Sequence, residues 1–170
     1  MFLENLFYSL IENADKRAFC VGDVYYSYRQ LYDAAAAIRA QIETGRRDKT
    51  KKNIAVVASD DFLTYASLLG IWFSGCAYVP LGLHNPPDRN LSILKDADAG
   101  LILSTIVLDA EAYAEYTVLT PSAAEGVRAG ETADAGKAGH AAEAGEPAEA
   151  ARGGGNKLVL PDLEIGRAHV

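Results

Sequence analysis

The sequence predicts an α/β fold in which a mostly parallel sheet is flanked by helices. Between residues 54 and 120, apolar runs of strand length alternate with helical patterns. The first run, Ile54 to Ala58, is continuously apolar and β-branched, as expected for a strand buried on both faces. Glycine and proline stand at the boundaries between these segments, where helices end and begin. Such alternation produces parallel strands joined by right-handed crossovers.

The chain begins with a helical pattern and a hairpin. In FLENLFYSLIENA, residues 2–14, apolar side chains recur at helical spacing, which predicts an amphipathic helix ending near Asn13. Two β-prone runs follow, Ala18 to Val21 and Val24 to Tyr28, and Gly22-Asp23 between them favours a tight hairpin turn. The apolar stripe of the helix must therefore pack on the elements that follow.

A second helix is predicted from Ser27 and Gln30, which match the S-x-x-Q capping box of a helix start. Its pattern continues to Gly45, a residue type common at helix ends. The residues on its apolar face are Leu31, Ala35, Ile38 and Ile42.

A strand, a helix and a strand are predicted from residue 54 to residue 81. Ser59 or Asp60 is positioned to cap the helix FLTYASLLGIWFS, and Gly75 follows its end. The run CAYVPL, residues 76–81, then predicts a second buried strand.

The next helix is expected to open at Pro86-Pro87 and to run through NLSILKDAD, because proline is favoured in the first turn of a helix. Gly100 ends this segment, and LILS, residues 101–104, predicts a third strand. A further strand is expected from Tyr116 to Thr120.

Composition divides the chain after this strand. Residues 1–121 hold nearly all the large apolar side chains and predict one folded unit, whereas residues 122–156 are rich in alanine, glycine and glutamate and predict a disordered, flexible insertion. Residues 157–163, beginning KLVLP, resemble the start of a further strand. The last seven residues, 164–170, are encoded in frame by GAGATCGGAAGAGCACACGTC, which contains a common sequencing adapter. We therefore expect them to be adapter read-through that ends a gene fragment.

Charge and sequence features exclude several classes of protein. The formal net charge is −7, so no basic footprint for nucleic acid or an anionic membrane is expected. The basic cluster of residues 46–53 lies between a predicted helix and a predicted strand, which favours a solvated loop over a phosphate-binding patch. The N-terminus lacks a secretion signal and no run is long enough for a membrane span, which favours a cytoplasmic protein.

Cys20 and Cys76 form no CxxC motif, so neither a disulfide framework nor a metal knuckle is predicted, and both are expected to be buried. The paired acids Asp60-Asp61 follow a strand and could bind a metal or act as acid and base, but helix capping explains them better. His84 follows the CAYVPL strand, and no second histidine stands at metal spacing. The sequence GGGNK, residues 153–157, does not match a phosphate loop.

Three ordered blocks carry a resemblance to a known family. YSYRQL, residues 26–31, GIWFSGCAYVPL, residues 70–81, and the block PPDRNLSILKDADAGLILS resemble the N-terminal part of the adenylate-forming enzymes, which include amino-acid adenylation domains, acyl-CoA synthetases and luciferases. The match covers roughly residues 1–120. In the family the AYVPL run is an interior strand, and Arg89 stands where an arginine ties down the loop before the next helix.

The resemblance implies the N-terminal subdomain of the adenylate-forming enzyme fold. It is closest to amino-acid-activating members, including D-alanine ligase-like proteins. The resemblance implies that the parent uses ATP and Mg²⁺ to adenylate a small carboxylate, expected to be an amino acid, and passes it to the thiol of a phosphopantetheinyl carrier protein. The family's phosphate loop, adenine motif, ribose-binding aspartate and catalytic lysine are not found in this sequence.

No catalytic, cofactor-binding or metal residue is therefore assigned, and the chain is expected to be inactive as it stands. The alternative hypothesis is a free-standing flavodoxin-like binding or interaction module without catalysis.

Overall fold

The computed structural model describes residues 2–123 and 131–132 of this chain. Helices α1 to α4 span Phe2–Glu12, Tyr28–Gly45, Phe62–Phe73 and Pro87–Asp96. Strands β1 to β7 span Arg17–Val21, Val24–Ser27, Asn53–Ala58, Ala77–Gly82, Leu101–Leu103, Thr117–Leu119 and Glu131–Thr132. The helices and strands predicted up to residue 120 are thus confirmed, with small shifts at their ends. The predicted strand at 157–163, the suspected adapter at 164–170 and most of the 122–156 insertion lie outside the described residues.

The predicted parallel sheet is confirmed. Its four strands have the order β4-β3-β5-β6, and each neighbouring pair is parallel. A separate sheet has the order β1-β2-β7 and is antiparallel. In the parallel sheet β3 lies between β4 and β5, and residues 54–57 are all buried. The continuously apolar sequence of β3 is explained by this central position.

The prediction that CAYVPL is a buried interior strand is wrong for this structure. β4 is the terminal strand of the described sheet, and of its six residues only Leu81 is buried. The N–H of Ala77 donates to the carbonyl of Lys52 at 2.8 Å, so residues 77, 79 and 81 face β3 and Pro80 faces the free edge. Proline lacks an N–H, and an edge strand accepts it there without losing a hydrogen bond to β3.

The two faces of the parallel sheet are covered by different helices. Ile54, Val56, Leu101 and Leu103 form one core with α2 and α3, which includes Ile38 and Ile71. The opposite face forms a second core with α4, and its buried members are Ala55, Val57, Leu81, Leu94, Ala99, Ile102 and Tyr113. Alternate residues along each strand therefore contact opposite helical layers.

The hairpin joins the first core through aromatic rings. The capping box of Ser27 and Gln30 is confirmed and begins α2 directly after β2. Tyr26 stacks on Phe62 with the ring centroids 4.1 Å apart, so core packing explains the aromatic content of the hairpin. The expectation that both cysteines are buried is wrong for Cys20, which is exposed while Cys76 is buried. Cys20 precedes the turn on the strand face opposite to Phe19, and its thiol donates to the carbonyl of Gly22.

The apolar stripe of α1 also has a packing partner. Leu10 is buried in the first core, and the ring of Phe7 lies edge-on to Tyr32 of α2, with the centroids 5.4 Å apart. α1 therefore packs against α2. No helix in the described part of the chain is both long and apolar enough to cross a membrane.

Candidate functional site

Three loops meet at the carboxyl ends of the parallel strands. They follow β3 at residues 59–61, β4 at residues 83–86 and β5 at residues 104–106. The chain leaves β3 toward α3 on one face of the sheet and leaves β4 toward α4 on the other face. Adjacent strands whose connections diverge in this way open a crevice between them, where open α/β sheets bind ligands. This edge is therefore the candidate site.

Asp61 links two of these loops. Its carboxylate accepts hydrogen bonds from the Thr64 N–H at 2.8 Å, from the Thr64 hydroxyl at 2.9 Å and from the Thr105 hydroxyl at 2.7 Å. The predicted caps, Ser59 and Asp60, were placed too early, because Asp61 is the N-cap of α3. Asp60 instead accepts from the hydroxyl of Tyr65 at 2.8 Å. The paired acids thus cap and brace a helix, as the capping hypothesis holds.

The environment of Asp61 favours the ionised carboxylate. Partial burial raises the pKa of Asp61, but the hydrogen bonds donated by Thr105 and Thr64 outweigh it, and the pKa lies below the ordinary value. For Tyr65, the hydrogen bond to the Asp60 carboxylate raises the pKa of the phenol. Both carboxylates are accepting hydrogen bonds, which is the arrangement of a structural brace.

We expect Asp61→Ala to lower the free energy of unfolding by about 1–2 kcal/mol, because the N-cap and the link to Thr105 are both lost. Asp61→Asn keeps a capping oxygen and removes the charge. Since the folded pKa is depressed, the stability contributed by the charge is present above the unfolded pKa of about 3.9 and is lost as pH falls through the folded value. Urea unfolding of the native chain and Asp61→Asn should therefore differ most near pH 7 and converge below about pH 3.9. If the difference in unfolding free energy between the two proteins grew as the pH fell, the stabilising role of the Asp61 charge would be contradicted.

The loop after β4 is held by amides. Asn90 is 5% exposed, donates from Nδ2 to the carbonyl of Gly82 at 3.1 Å, and accepts from Nδ2 of Asn85 at 3.0 Å. A Cβ at Gly82 would lie 2.6 Å from Nδ2 of Asn85, so a side chain at residue 82 would displace the Asn85 amide. Arg89 is exposed, and the side-chain hydrogen bonds that join the loop to α4 among the described residues come from the asparagines. The expected role of Arg89 therefore belongs to Asn90.

Asn90→Ala is expected to lower the free energy of unfolding by about 1–3 kcal/mol, because Nδ2 of Asn85 loses its acceptor and the Gly82 carbonyl keeps only the Asn85 N–H as a donor. Arg89→Ala is the matched control one residue away on the exposed side of the same helix turn. Its effect should stay within about 0.5 kcal/mol. Denaturant unfolding followed by circular dichroism measures the free energy of unfolding of both variants. Equal losses would contradict the assignment of the loop-holding role to Asn90 instead of Arg89.

The remaining sequence candidates do not form a reactive group. His84 is exposed in the loop after β4, as expected. Ser104 is buried, but its hydroxyl donates to the carbonyl of Ile106 at 2.7 Å. Within residues 2–123 and 131–132, no group of three or more His, Cys, Asp or Glu side chains is placed to hold a metal. The GGGNK sequence lies outside the described residues.

The basic cluster is largely a solvated loop, as predicted, since residues 47–50 are exposed. Its first residue departs from that description. Nη1 of Arg46 lies 2.6 Å from Sγ of Cys76, and Nε of Arg46 is buried without a hydrogen-bond partner among the described residues. This contact and the Asp61–Thr105 link were missed from the sequence, because each joins residues 30 or more positions apart.

Solved structures and curated proteins show what this fold is similar to. The N-terminal subdomain of Klebsiella oxytoca NpsA matches with a TM-score of 0.59 at 19% identity, over 69% of this chain and 30% of that one. The nonribosomal peptide synthetase FmoA3, bound to α-methyl-L-serine-AMP, matches with a TM-score of 0.58 at 27% identity, over 69% of this chain and 13% of that one. The D-alanine–D-alanyl carrier protein ligase of Lactococcus lactis is 30% identical over 115 residues, which are 68% of this chain and 23% of the ligase.

The fold is therefore that of the N-terminal subdomain of an adenylate-forming enzyme. The sequence pattern of the AMP-binding enzyme family matches residues 8–158, and the chain belongs to that family. This result favours the adenylate-forming hypothesis over a flavodoxin-like module. The chain spans less than a quarter of the length of the Lactococcus lactis ligase.

Proposed function

We propose that this chain is the N-terminal part of an ATP-dependent ligase that adenylates an amino acid and transfers it to a carrier-protein thiol. The observation that carries the proposal is the family match over residues 8–158, on a fold shared with adenylating subdomains. Its similarity to D-alanine–D-alanyl carrier protein ligases supports an amino acid as substrate and a carrier protein as acceptor. We further propose residues 1–121 as the folded part of this adenylation domain.

The reaction follows from the chemistry of carboxylates. A carboxylate has no good leaving group, so its oxygen attacks the α-phosphorus of ATP, and pyrophosphate leaves. A thiol then attacks the acyl carbon of the adenylate, forms a thioester and releases AMP. Cationic groups must offset the charge that develops on the transferred phosphate.

The described residues do not supply such groups at the candidate site. The N-terminus of α3, which would favour an anion, is already capped by the Asp61 carboxylate with Asp60 beside it. Negative charge at this position opposes a triphosphate. Asp61 already accepts three hydrogen bonds, and among the described residues no group of three or more His, Cys, Asp or Glu side chains is placed around a metal position. We therefore propose that the ATP-binding and catalytic residues belong to other parts of the parent protein.

Amino-acid-dependent exchange of pyrophosphate into ATP tests this proposal. The 170-residue chain, incubated with ATP, Mg²⁺ and an amino-acid panel that includes D-alanine, should give no exchange above the enzyme-free blank. A complete D-alanine–D-alanyl carrier protein ligase assayed in parallel is the positive control. Robust exchange by the 170-residue chain would refute its inactivity.

The proposed activity is tested on the chain extended through the rest of its gene. This protein should catalyse exchange with at least one amino acid and then load that amino acid onto a phosphopantetheinyl carrier protein, as detected by the mass of the carrier. Pyrophosphate exchange without loading of the carrier would support the proposed adenylation but contradict the carrier protein as acceptor. Absence of both would reject the proposed function.

A further inference from the structure

The outer edge of β6 has backbone groups available for another strand. The N–H of Ser104 donates to the carbonyl of Leu119 at 3.0 Å, which shows that the backbone of Leu119 faces β5. In a parallel ladder successive residues face opposite sides, so the N–H and C=O of Val118 point away from β5. Among the described residues β6 is the terminal strand on this side of the sheet. Val118 therefore presents a donor and an acceptor that no other described residue pairs along this edge.

An apolar cavity adjoins this edge. It has a volume of about 360 Å³, and its lining includes Ile106, Leu108, Tyr113, Tyr116 and Val118. Val107 in the same loop is 99% exposed, and Val118 and Ile106 are 39% and 38% exposed. Single exposed apolar residues are ordinary, but a cluster beside an open strand edge indicates a surface that another segment covers.

The opposite edge of the sheet is less suited to strand addition. Pro80 of β4 faces outward and has no N–H to donate. Tyr78, also on this strand, packs its ring on Trp72 with the centroids 6.0 Å apart. β4 is therefore protected as an edge, whereas β6 is not.

We propose that residues 157–161, KLVLP, pair with the outer edge of β6 as a fifth strand of the parallel-strand sheet. Residues 133–156 contain no leucine, isoleucine, valine or aromatic residue, so KLVLP is the next apolar segment after β7. Leu158 and Leu160 share one face of an extended segment and supply the apolar side chains that the cavity accepts. Val159 lies on the other face, on the side where Leu119 joins the first core.

The chain length permits this pairing. The 24 residues from 133 to 156 have a root-mean-square span of about 25–30 Å if they behave as a flexible linker. A folded unit of about 120 residues has a radius of gyration of only about 14 Å, so a linker of this span can carry the segment from β7 to the edge of β6. This inference concerns the sheet alone and does not depend on the proposed catalytic activity.

Amide hydrogen exchange in the full 170-residue chain tests the pairing at one atom. The Val118 amide should exchange at least about tenfold more slowly in the native chain than in the double variant Leu158→Asp, Leu160→Asp. The control variant Ala148→Asp, Ala150→Asp adds the same charge at the same spacing within the linker, and it should leave Val118 protected. The Leu119 amide faces β5 and should stay protected in all three proteins, which shows that the sheet is folded.

Equal exchange of Val118 in the native chain and the leucine variant would overturn the proposal. Protection that increases with protein concentration would identify a second copy as the occupant, and protection lost at Gly82 instead would identify the β4 edge. Both results would also reject the assignment. If the leucine variant does not fold, nuclear Overhauser contacts in the native chain test the pairing instead. Backbone contacts between Val118 and residues 157–161 are expected, and their absence would contradict the proposal.

Discussion

Replacing Phe62 with alanine is expected to lower the free energy of unfolding by about 3–5 kcal/mol, because a large buried ring is lost and a cavity remains. Phe62 is 9% exposed and is the first residue of α3. Its ring stacks on Tyr26 at 4.1 Å between centroids and lies 6.1 Å from Phe19. The substitution therefore removes two of the ring contacts that join the hairpin to α3.

Urea unfolding followed by circular dichroism measures this loss. Tyr8→Ala removes an aromatic side chain that is 63% exposed, and its effect should be below about 1 kcal/mol. Chemical shifts of the β1–β2 hairpin should change in Phe62→Ala and not in Tyr8→Ala. Similar destabilisation by both substitutions would show that the ring stack does not hold the hairpin.

Gly70→Leu is expected to destabilise the chain by about 1–3 kcal/mol or more, because α2 and α3 pack too closely to admit a side chain there. A Cβ at Gly70 would lie 3.0 Å from the carbonyl oxygen of Ala35 and 3.0 Å from Cγ2 of Ile38. One neighbour is backbone and the other is a buried β-branched side chain. Neither can move without separating the two helices.

Leucine is a better helix former than glycine by almost 1 kcal/mol, so intrinsic propensity alone predicts stabilisation. The sign of the stability change in Gly70→Leu therefore shows whether close packing or helix propensity dominates at this position. Ala40→Leu introduces the same side chain at an exposed position of α2 and should change stability by less than about 0.5 kcal/mol. Thermal unfolding of the two variants compares them directly, and a raised melting temperature for Gly70→Leu would contradict the close packing of the helices.

The order and ends of the helices and strands were determined by the sequence itself. The capping box at Ser27, the glycine at Gly75 and the prolines at residues 86 and 87 act within one helix turn of their own positions. Gly75 adopts φ +65, as the end of α3 requires. The continuous apolar run of β3 likewise predicted a strand buried on both faces, and residues 54–57 are buried. Signals of this kind need no knowledge of distant residues.

Tertiary structure decided several exposures and long-range contacts that the sequence did not predict. β4 is an edge strand although its sequence suggests an interior one, and Cys20 faces outward although cysteine is usually buried. Asp61 meets Thr105, 44 positions away, only because β3 and β5 are neighbours in the sheet. Local sequence sets the conformation of a segment through interactions among adjacent residues. Exposure and long-range contacts depend instead on strand order, which results from packing the whole domain.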